Sequence, residues 1–458
     1  MIDLKNIRSI YFIGIGGIGM SGLARYFNSR GVQVSGYDKT QTHLIDELVN
    51  EGMKIHFEEN VELIPKNVDL VCFTPAVSKE HAELKFYVQN KYNVVKRSDL
   101  LEELTKDLFT IAVAGSHGKT TTSTLIAHIL KSSGYDCSAF LGGVSANYNS
   151  NFLIGKNKTV VVEADEYDRS FWKLHPDISV ITSVDPDHLD VYGTVEEFEN
   201  GFIGFARKLK TNGTLFVKNN VTIIDELKNL SPNKYSLEEF NSNFYADDIE
   251  LNNELYSFTF HTPVSEIKNL TLGIPGLHNV ENAVAACAVA WQLGIGDEEI
   301  RKALATFKGV KRRFEIIYRS AKTIYIDDYA HHPNEINAFL SSIKKIFPDK
   351  KLTCVFQPHL FSRTRDFADE FAESLSIADT CILLPIYPAR ELPIEGINSE
   401  MILEKVTSAK RILCGMPMLL ECIRIQKPEL LVTIGAGDID TMVSPIKSFL
   451  TTQSLFLK

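Results

Sequence analysis

The stretch Phe109-Thr-Ile-Ala-Val-Ala-Gly115-Ser116-His117-Gly118-Lys119-Thr120-Thr121 decides the fold. Its first six residues are apolar or β-branched and read as a buried strand, and Thr121–Lys131 then carries helical spacing. Two glycines, a lysine and a threonine fill the turn between them. Backbone N–H groups of such a loop wrap phosphate oxygens, Lys119 reaches the β and γ phosphates, and Thr120 offers its hydroxyl to Mg²⁺. The strict pattern wants a glycine five residues before Gly118, where this chain has Val113, so the loop is a variant. Gly115, Ser116, His117, Gly118, Lys119, Thr120 and Thr121 are the candidate nucleotide residues. The alternative, a chance Gly-Lys-Thr in an unliganded loop, is disfavoured by the strand that precedes it.

Working outward, strands alternate with amphipathic helices on both sides. Ser9–Gly14 is β-rich, Ile18–Arg30 is helical with Gly31 as a stop, and Val32–Asp38 and Val68–Thr74 are further strands. Val160–Glu163 and Ile178–Ser183 extend the middle part. A third alternation runs through strand Ile324–Asp327, helix Asn334–Phe347, strand Leu352–Phe356, helix Asp366–Ile377, strand Cys381–Ile386, strand Leu430–Ile434 and a final helix. The Asn-rich stretch from Asn219 to Pro263 reads as irregular or short-stranded. This grammar predicts three α/β domains with parallel sheets, 1–106, 107–313 and 314–458.

A second glycine motif, Gly14-Ile-Gly16-Gly17-Ile-Gly19, opens the first helix, with Asp38 at the end of the next strand. Such a turn lets a diphosphate approach the backbone at a helix N-terminus. Alone it fits a dinucleotide, with Asp38 on a ribose, as well as any other diphosphate. Two acidic clusters follow strands near the Lys119 loop: Glu163-Ala-Asp165-Glu166, and Asp185-Pro-Asp187-His188-Leu-Asp190. Ends of neighbouring parallel strands share one crevice, which makes Glu163 and His188, with Thr120, candidate metal ligands. For Asp165, Asp187 and Asp190, loop hydrogen bonding competes evenly with function.

Composition bounds the partners. The chain has 458 residues, more than one core supports, with 44% hydrophobic and 23% charged residues. A net charge of −10 argues against binding to nucleic acid or an anionic membrane. Seven scattered cysteines with no CxxC pair indicate neither disulfides nor a zinc cluster, which fits a reducing cytoplasm.

In order along the chain stand Gly14–Ala24, Gly115–Thr121, Glu163–Glu166, Asp187-His188-Leu-Asp190, Gly276-Leu-His278-Asn279-Val-Glu-Asn282, Lys311-Arg312-Arg313-Phe314, Asp327-Asp328-Tyr329-Ala-His331-His332-Pro333 and Phe356-Gln357-Pro358-His359. This series resembles the Mur ligases over essentially the whole chain. The resemblance implies a UDP-substrate-binding Rossmann-like domain holding a UDP diphosphate at Gly14, Gly16, Gly17, Gly19 and Asp38. It implies a central ATPase domain with adenine near His278, Asn279 and Asn282, and Mg²⁺ (or Mn²⁺) on Thr120, Glu163 and His188. Lys119, Glu163 and His188 would carry the catalysis. Arg313, at the hinge, and Asp327, in the third, amino-acid-binding domain, would reach ATP, and that domain would offer His331, His332, His359 and Arg363 to the amino acid.

Gln357-Pro358-His359 is similar to the members that attach L-alanine to UDP-N-acetylmuramate. Members that attach a recycled tripeptide carry Glu-Pro-Arg there. The implied reaction passes through an acyl phosphate shielded from water by domain closure. Two positions depart from the family. No lysine lies between His188 and Arg207 to serve as a carbamylated metal ligand, and Leu360 stands where arginine is common, leaving Arg363 or Arg365 for the carboxylate. A nicotinamide-dependent oxidoreductase is the competing class, and it leaves the Lys119 loop unexplained. Oligomeric state is not legible in the sequence.

Overall fold

Apolar strands buried on both faces and helices that bury one stripe build three sheets in a computed structural model describing residues 4, 6–187, 189–389 and 391–455. The chain forms two compact units. One comprises the described residues up to Ile249 with Phe258–Leu272 and Glu281–Lys308; the other comprises Glu250–Ser257, Gly273–Val280 and the described residues from Gly309 onward.

The first sheet is fully parallel, in the order Lys54–His56, Gln33–Tyr37, Ser9–Ile13, Leu70–Phe73, Val94–Lys96. Ile10–Ile13 are wholly buried at its centre. Helix Ile18–Ser29 buries Met20, Leu23, Ala24 and Phe27, one stripe at three- and four-residue spacing, against that sheet. Gly31, at φ +77°, lets the chain turn back into the next strand.

The second sheet has ten strands, and Phe109–Ala114 lies between Ile178–Ile181 and Thr159–Glu163, parallel to both. Glu163 pairs in register with Val113, and Ile181 with Ala114. The segments leaving these three strands therefore emerge together at their C-terminal ends, which is where the loop Gly115–Gly118, Glu163–Glu166 and Asp185–Asp187 lie. A hairpin, Ser138–Ser145 with Ser150–Leu153, forms one end of the sheet.

The Asn219–Pro263 stretch corrects the sequence reading. It holds three regular strands, Asn233–Leu237, Phe244–Asn252 and Leu255–His261, the longest of nine residues. Its mean polarity hides a clean alternation, because Tyr256, Phe258 and Phe260 are buried while the residues between them are polar. Asn253 and Glu254, both at positive φ, make the two-residue turn that a twisted hairpin prefers.

In the second unit the order is Glu315–Arg319, Ile324–Asp328, Leu430–Ile434, Leu352–Phe356, Thr380–Leu383, Lys410–Leu413, parallel except for the first pair. The buried central four match the apolar runs of the sequence. The two edge strands are charged and half exposed, and for that reason were missed. The predicted helix Asp366–Ile377 is found as Ala368–Leu375, and a separate short helix, Phe361–Asp366, precedes it, the two divided where Phe367 leaves helical geometry.

Candidate active site

The Lys119 loop is built by backbone demands. Gly115 has φ +144°, and a Cβ there would lie 2.0 Å from the Thr182 hydroxyl; Gly118, at φ +83°, would place one 2.6 Å from Asn282 Oδ1. Ser116 donates to the Asp185 carbonyl at 2.6 Å, and the His117 N–H donates to Ser183 Oγ at 2.7 Å. These bonds tie the loop to the segment after Ile178–Ile181. Gly118 then caps helix Lys119–Ser132, whose free N–H groups and dipole favour an anion. Lys119 folds back over the loop, donating to the carbonyls of Gly115 and Ser116 and, at 2.8 Å, to Glu166. Burial opposes the Lys119 charge, but Glu166, Glu163 and Asp165 outweigh it and hold the ammonium above its ordinary pKa.

Glu163 ends the neighbouring strand, and one of its carboxylate oxygens is buried with no hydrogen-bond partner among the described residues. An orphaned buried carboxylate oxygen is what a hard cation satisfies. A Cβ on Gly142 would sit 2.1 Å from that oxygen, so a glycine in the adjoining strand is what gives Glu163 its room. Together with Thr120, in the first turn of the loop helix, Glu163 fits a divalent cation. His188, the third expected ligand, lies outside the described residues. No cluster of three His, Cys, Asp or Glu side chains is assembled for a metal among those that are described.

The other glycine loop closes on itself. Asp38 accepts from the Gly16 N–H at 2.8 Å and from the Thr40 N–H at 3.2 Å. Gly17 is the N-cap of helix Ile18–Ser29, and a Cβ on Gly16 would meet Ile45 at 2.6 Å. Here Asp38 braces the turn from within.

In the second unit His331, His359 and Arg363 come together. The rings of His331 and His359 are 6.1 Å apart, His359 stacks on Tyr387 at 5.8 Å, and the buried Arg363 guanidinium is 3.5 Å from His359 Nδ1. Leu360, next in the chain, is buried and held at φ +70°, a strained conformation for a side-chain-bearing residue. Arg365 is exposed and pairs with Asp366 at 2.7 Å.

Comparison with known proteins can now be read against this geometry. Family models match residues 9–108 (Mur ligase family, catalytic domain), 113–290 (Mur ligase middle domain) and 312–436 (Mur ligase, glutamate ligase domain). A UDP-N-acetylmuramate–L-alanine ligase of Flavobacterium psychrophilum is 50% identical over 97% of this chain and 99% of its own length. The chain belongs to the Mur ligase family. A ligase of the same name from Porphyromonas gingivalis is 45% identical over 97% of this chain and all of its own. The crystal structure of UDP-N-acetylmuramate–alanine ligase from Thermotoga maritima superposes with a TM-score of 0.85 at 27% identity, covering 97% of this chain and 99% of that one. A murein peptide ligase from Psychrobacter arcticus shares the fold, with a TM-score of 0.73 at 23% identity over 97% and 98%. The three-domain α/β architecture is therefore that of a Mur ligase.

Several residues expected at ligands in this Mur ligase carry structure as well. Asp327 is fully buried, one oxygen accepting from Arg312 at 2.9 Å and the other from Thr433 at 2.5 Å, so it braces Arg312. His332 caps helix Pro333–Ile346 and packs on Phe367. Asn279 holds the Gly276 turn through the Pro275 carbonyl at 2.7 Å. Asn282 accepts from the Thr122 hydroxyl, in the first turn of helix Lys119–Ser132, at 3.2 Å. His278 packs beside Ser342 and Phe314, and burial with the nearby Arg313 charge pushes its pKa down to about 4. Arg313 lies over the Tyr329 ring. Sequence reasoning passed over Glu166, Gly142 and Tyr387. Glu166 stood inside a cluster already singled out, while Gly142 and Tyr387 carry no local signal.

Proposed function

We infer that this chain joins L-alanine to the carboxylate of UDP-N-acetylmuramate, converting ATP to ADP and phosphate, in peptidoglycan precursor synthesis in the cytoplasm. One observation carries the reading. A single unit holds two glycine-rich turns, each opening a helix, and of the two only Gly115–Thr121 carries a lysine, Lys119, at the helix start. The Gly14–Gly19 turn is left for an acceptor nucleotide. No described helix is long and apolar enough to cross a membrane, and all seven cysteines are free.

In the proposed reaction the muramate carboxylate attacks the γ-phosphate of ATP, ADP leaves, and the alanine amine displaces phosphate from the acyl phosphate. Lys119 offsets charge on the transferring oxygens, and the loop N–H groups at Gly115–Thr121 orient the phosphates. Mg²⁺ (or Mn²⁺), held by Thr120, Glu163 and His188, would neutralise phosphate charge. Gly14, Gly16, Gly17 and Gly19 would cradle the UDP diphosphate, with Asp38 acting through the turn it braces. Asn282, with His278 and Asn279, would serve the adenine end, and Asp327 would act through Arg312. His331, His359 and Arg363 would hold alanine, the guanidinium on its carboxylate.

The decisive experiment measures phosphate release with UDP-N-acetylmuramate and each amino donor in turn. Release that needs both the UDP sugar and L-alanine is the expected result. Release with a tripeptide but not with alanine would reassign the donor to that of the tripeptide-attaching members. Binding of NAD(H) with no phosphate release would return the chain to the oxidoreductases.

A further inference from the structure

Between the start of helix Ile18–Ser29 and the strand end at Glu163 lies a cavity whose lining includes Gly19, Arg97, Phe140, Leu141, Glu163 and Asp165. Neither the site argument nor the motif series uses Arg97. It begins helix Arg97–Thr105, and its side chain is 19% exposed. One Nη donates to Asp165 at 2.9 Å, and that is the only hydrogen-bond partner of the guanidinium among the described residues. The other Nη lies over Gly19, where a Cβ would approach to 2.5 Å. Gly19 thus opens the space that Arg97 occupies, beside the first turn of helix Ile18–Ser29.

Arg97 is the one cation of this lining, set opposite Glu163 and with donors to spare. A guanidinium with unsatisfied donors facing a cavity favours a planar anion. Leu23, Leu101, Phe140 and Leu141 add an apolar wall. A small anionic group with a hydrocarbon flank suits both surfaces. In the substrate proposed above, that group is the lactyl carboxylate with its methyl, the acid that must be brought to the ATP phosphate.

We propose that Arg97 is the positioning residue for this carboxylate, with Asp165 holding the guanidinium in place beside Gly19. The proposal rests on the reading of the chain as a ligase acting on UDP-N-acetylmuramate. The competing role for Arg97 is purely structural, an ion pair joining the two sheets of the first unit.

Calorimetry with the full-length protein separates these. UDP-N-acetylmuramate carries the lactyl acid and UDP-N-acetylglucosamine lacks it. Arg97→Gln should weaken UDP-N-acetylmuramate binding roughly 10- to 100-fold, as loss of a charge-assisted bond implies. Binding of UDP-N-acetylglucosamine and of ATP should change less than about twofold. In turnover, acceptor kcat/KM should fall by a similar factor while the KM of ATP holds, and Arg97→Lys should recover part of the loss. The reversed pair, Arg97→Asp with Asp165→Arg, restores an ion pair without restoring the cation at Gly19, so acceptor affinity should stay low. Recovery by the reversed pair, an equal loss for both UDP sugars, or no loss at all would each overturn the proposal. Failure of the unaltered protein to bind UDP-N-acetylmuramate would instead sink the ligase reading.

Discussion

The ammonium of Lys119 lies 2.8 Å from a carboxylate oxygen of Glu166, and the Glu166 side chain is 3% exposed. The lysine proposed to offset charge on the transferring phosphoryl group is therefore one half of a buried ion pair. Removing one member of such a pair leaves a charge without compensation in a poorly solvated place. Lys119→Met should lower kcat at least ~10²-fold, as loss of one strong transition-state donor does. It should also destabilise the first unit by about 3 kcal/mol. The double variant Lys119→Met/Glu166→Gln should regain most of that stability and none of the activity. Thermal unfolding and phosphate release, measured side by side, check both halves. Activity returning together with stability would mean that Lys119 serves the fold and not the transfer.

Gly142 makes a second, local prediction. The Cβ of alanine cannot share space with the Glu163 carboxylate at 2.1 Å, so Gly142→Ala must turn Glu163 away from its cavity. If Glu163 holds the divalent cation, the Mg²⁺ concentration giving half-maximal activity should rise at least tenfold, and Glu163→Gln should do the same. ATP binding measured without metal should be nearly untouched, since the Lys119 loop is braced from the other side by Ser183 and Asp185. An unchanged metal requirement in both variants would remove Glu163 from the coordination shell.

How much of this was legible follows from where each signal resides. The Lys119 loop and the Gly14–Gly19 turn were readable because conformation and chemistry are encoded in adjacent residues: glycines that must take positive φ, and a lysine beside them. The central strands of each sheet were readable as apolar runs. Phe244–His261 was misread because its buried residues alternate with polar ones, which lowers the average while keeping the period. The roles of Arg97, Gly142 and Glu166 were not legible, for another reason, even though Glu166 stands in a cluster the sequence singles out. Each matters through a partner distant in sequence (Asp165, Glu163 and Lys119), and pairing across that distance exists only once the sheet is ordered. Asp327 and His332 show the converse, striking in the sequence yet engaged in bracing and capping.

The second unit separates the two arginines that the sequence offers for the amino-acid carboxylate. Arg363 is buried beside His359, whereas Arg365 is exposed and paired with Asp366. Arg363→Lys keeps charge but loses the planar fork, so the KM for L-alanine should rise at least tenfold with little change in the KM for ATP. Arg365→Ala should leave both within about twofold, as an exposed neighbouring pair contributes little. Equal effects from the two variants would show that the carboxylate is not read at Arg363.

The last prediction concerns pH and two groups in the second unit. Burial, reinforced by Arg313, pushes His278 down to about 4, and burial pushes Asp328 up to about 6 against Arg313 and its bonds from Phe314 and Ala330. Unfolded, these groups titrate near 6.5 and 3.8. Between pH 6.5 and 4 the unfolded chain protonates His278 and the folded one does not, so stability falls as pH falls. Between pH 6 and 3.8 the folded chain protonates Asp328 first, so stability rises as pH falls. The two slopes are each about 1.4 kcal/mol per pH unit and nearly cancel from pH 6 to 4. His278→Asn removes one of them, and its stability relative to the unaltered protein should improve by roughly 2 kcal/mol on going from pH 6.5 to 4.5. Asp328→Asn should move the opposite way by a similar amount. Both tryptophans, Trp172 and Trp291, lie in the first unit, so fluorescence would miss the event. Hydrogen exchange in strands Ile324–Asp328 and Leu430–Ile434 would report it directly. If both variants kept a constant offset from the unaltered protein across that range, neither group would titrate as its surroundings require.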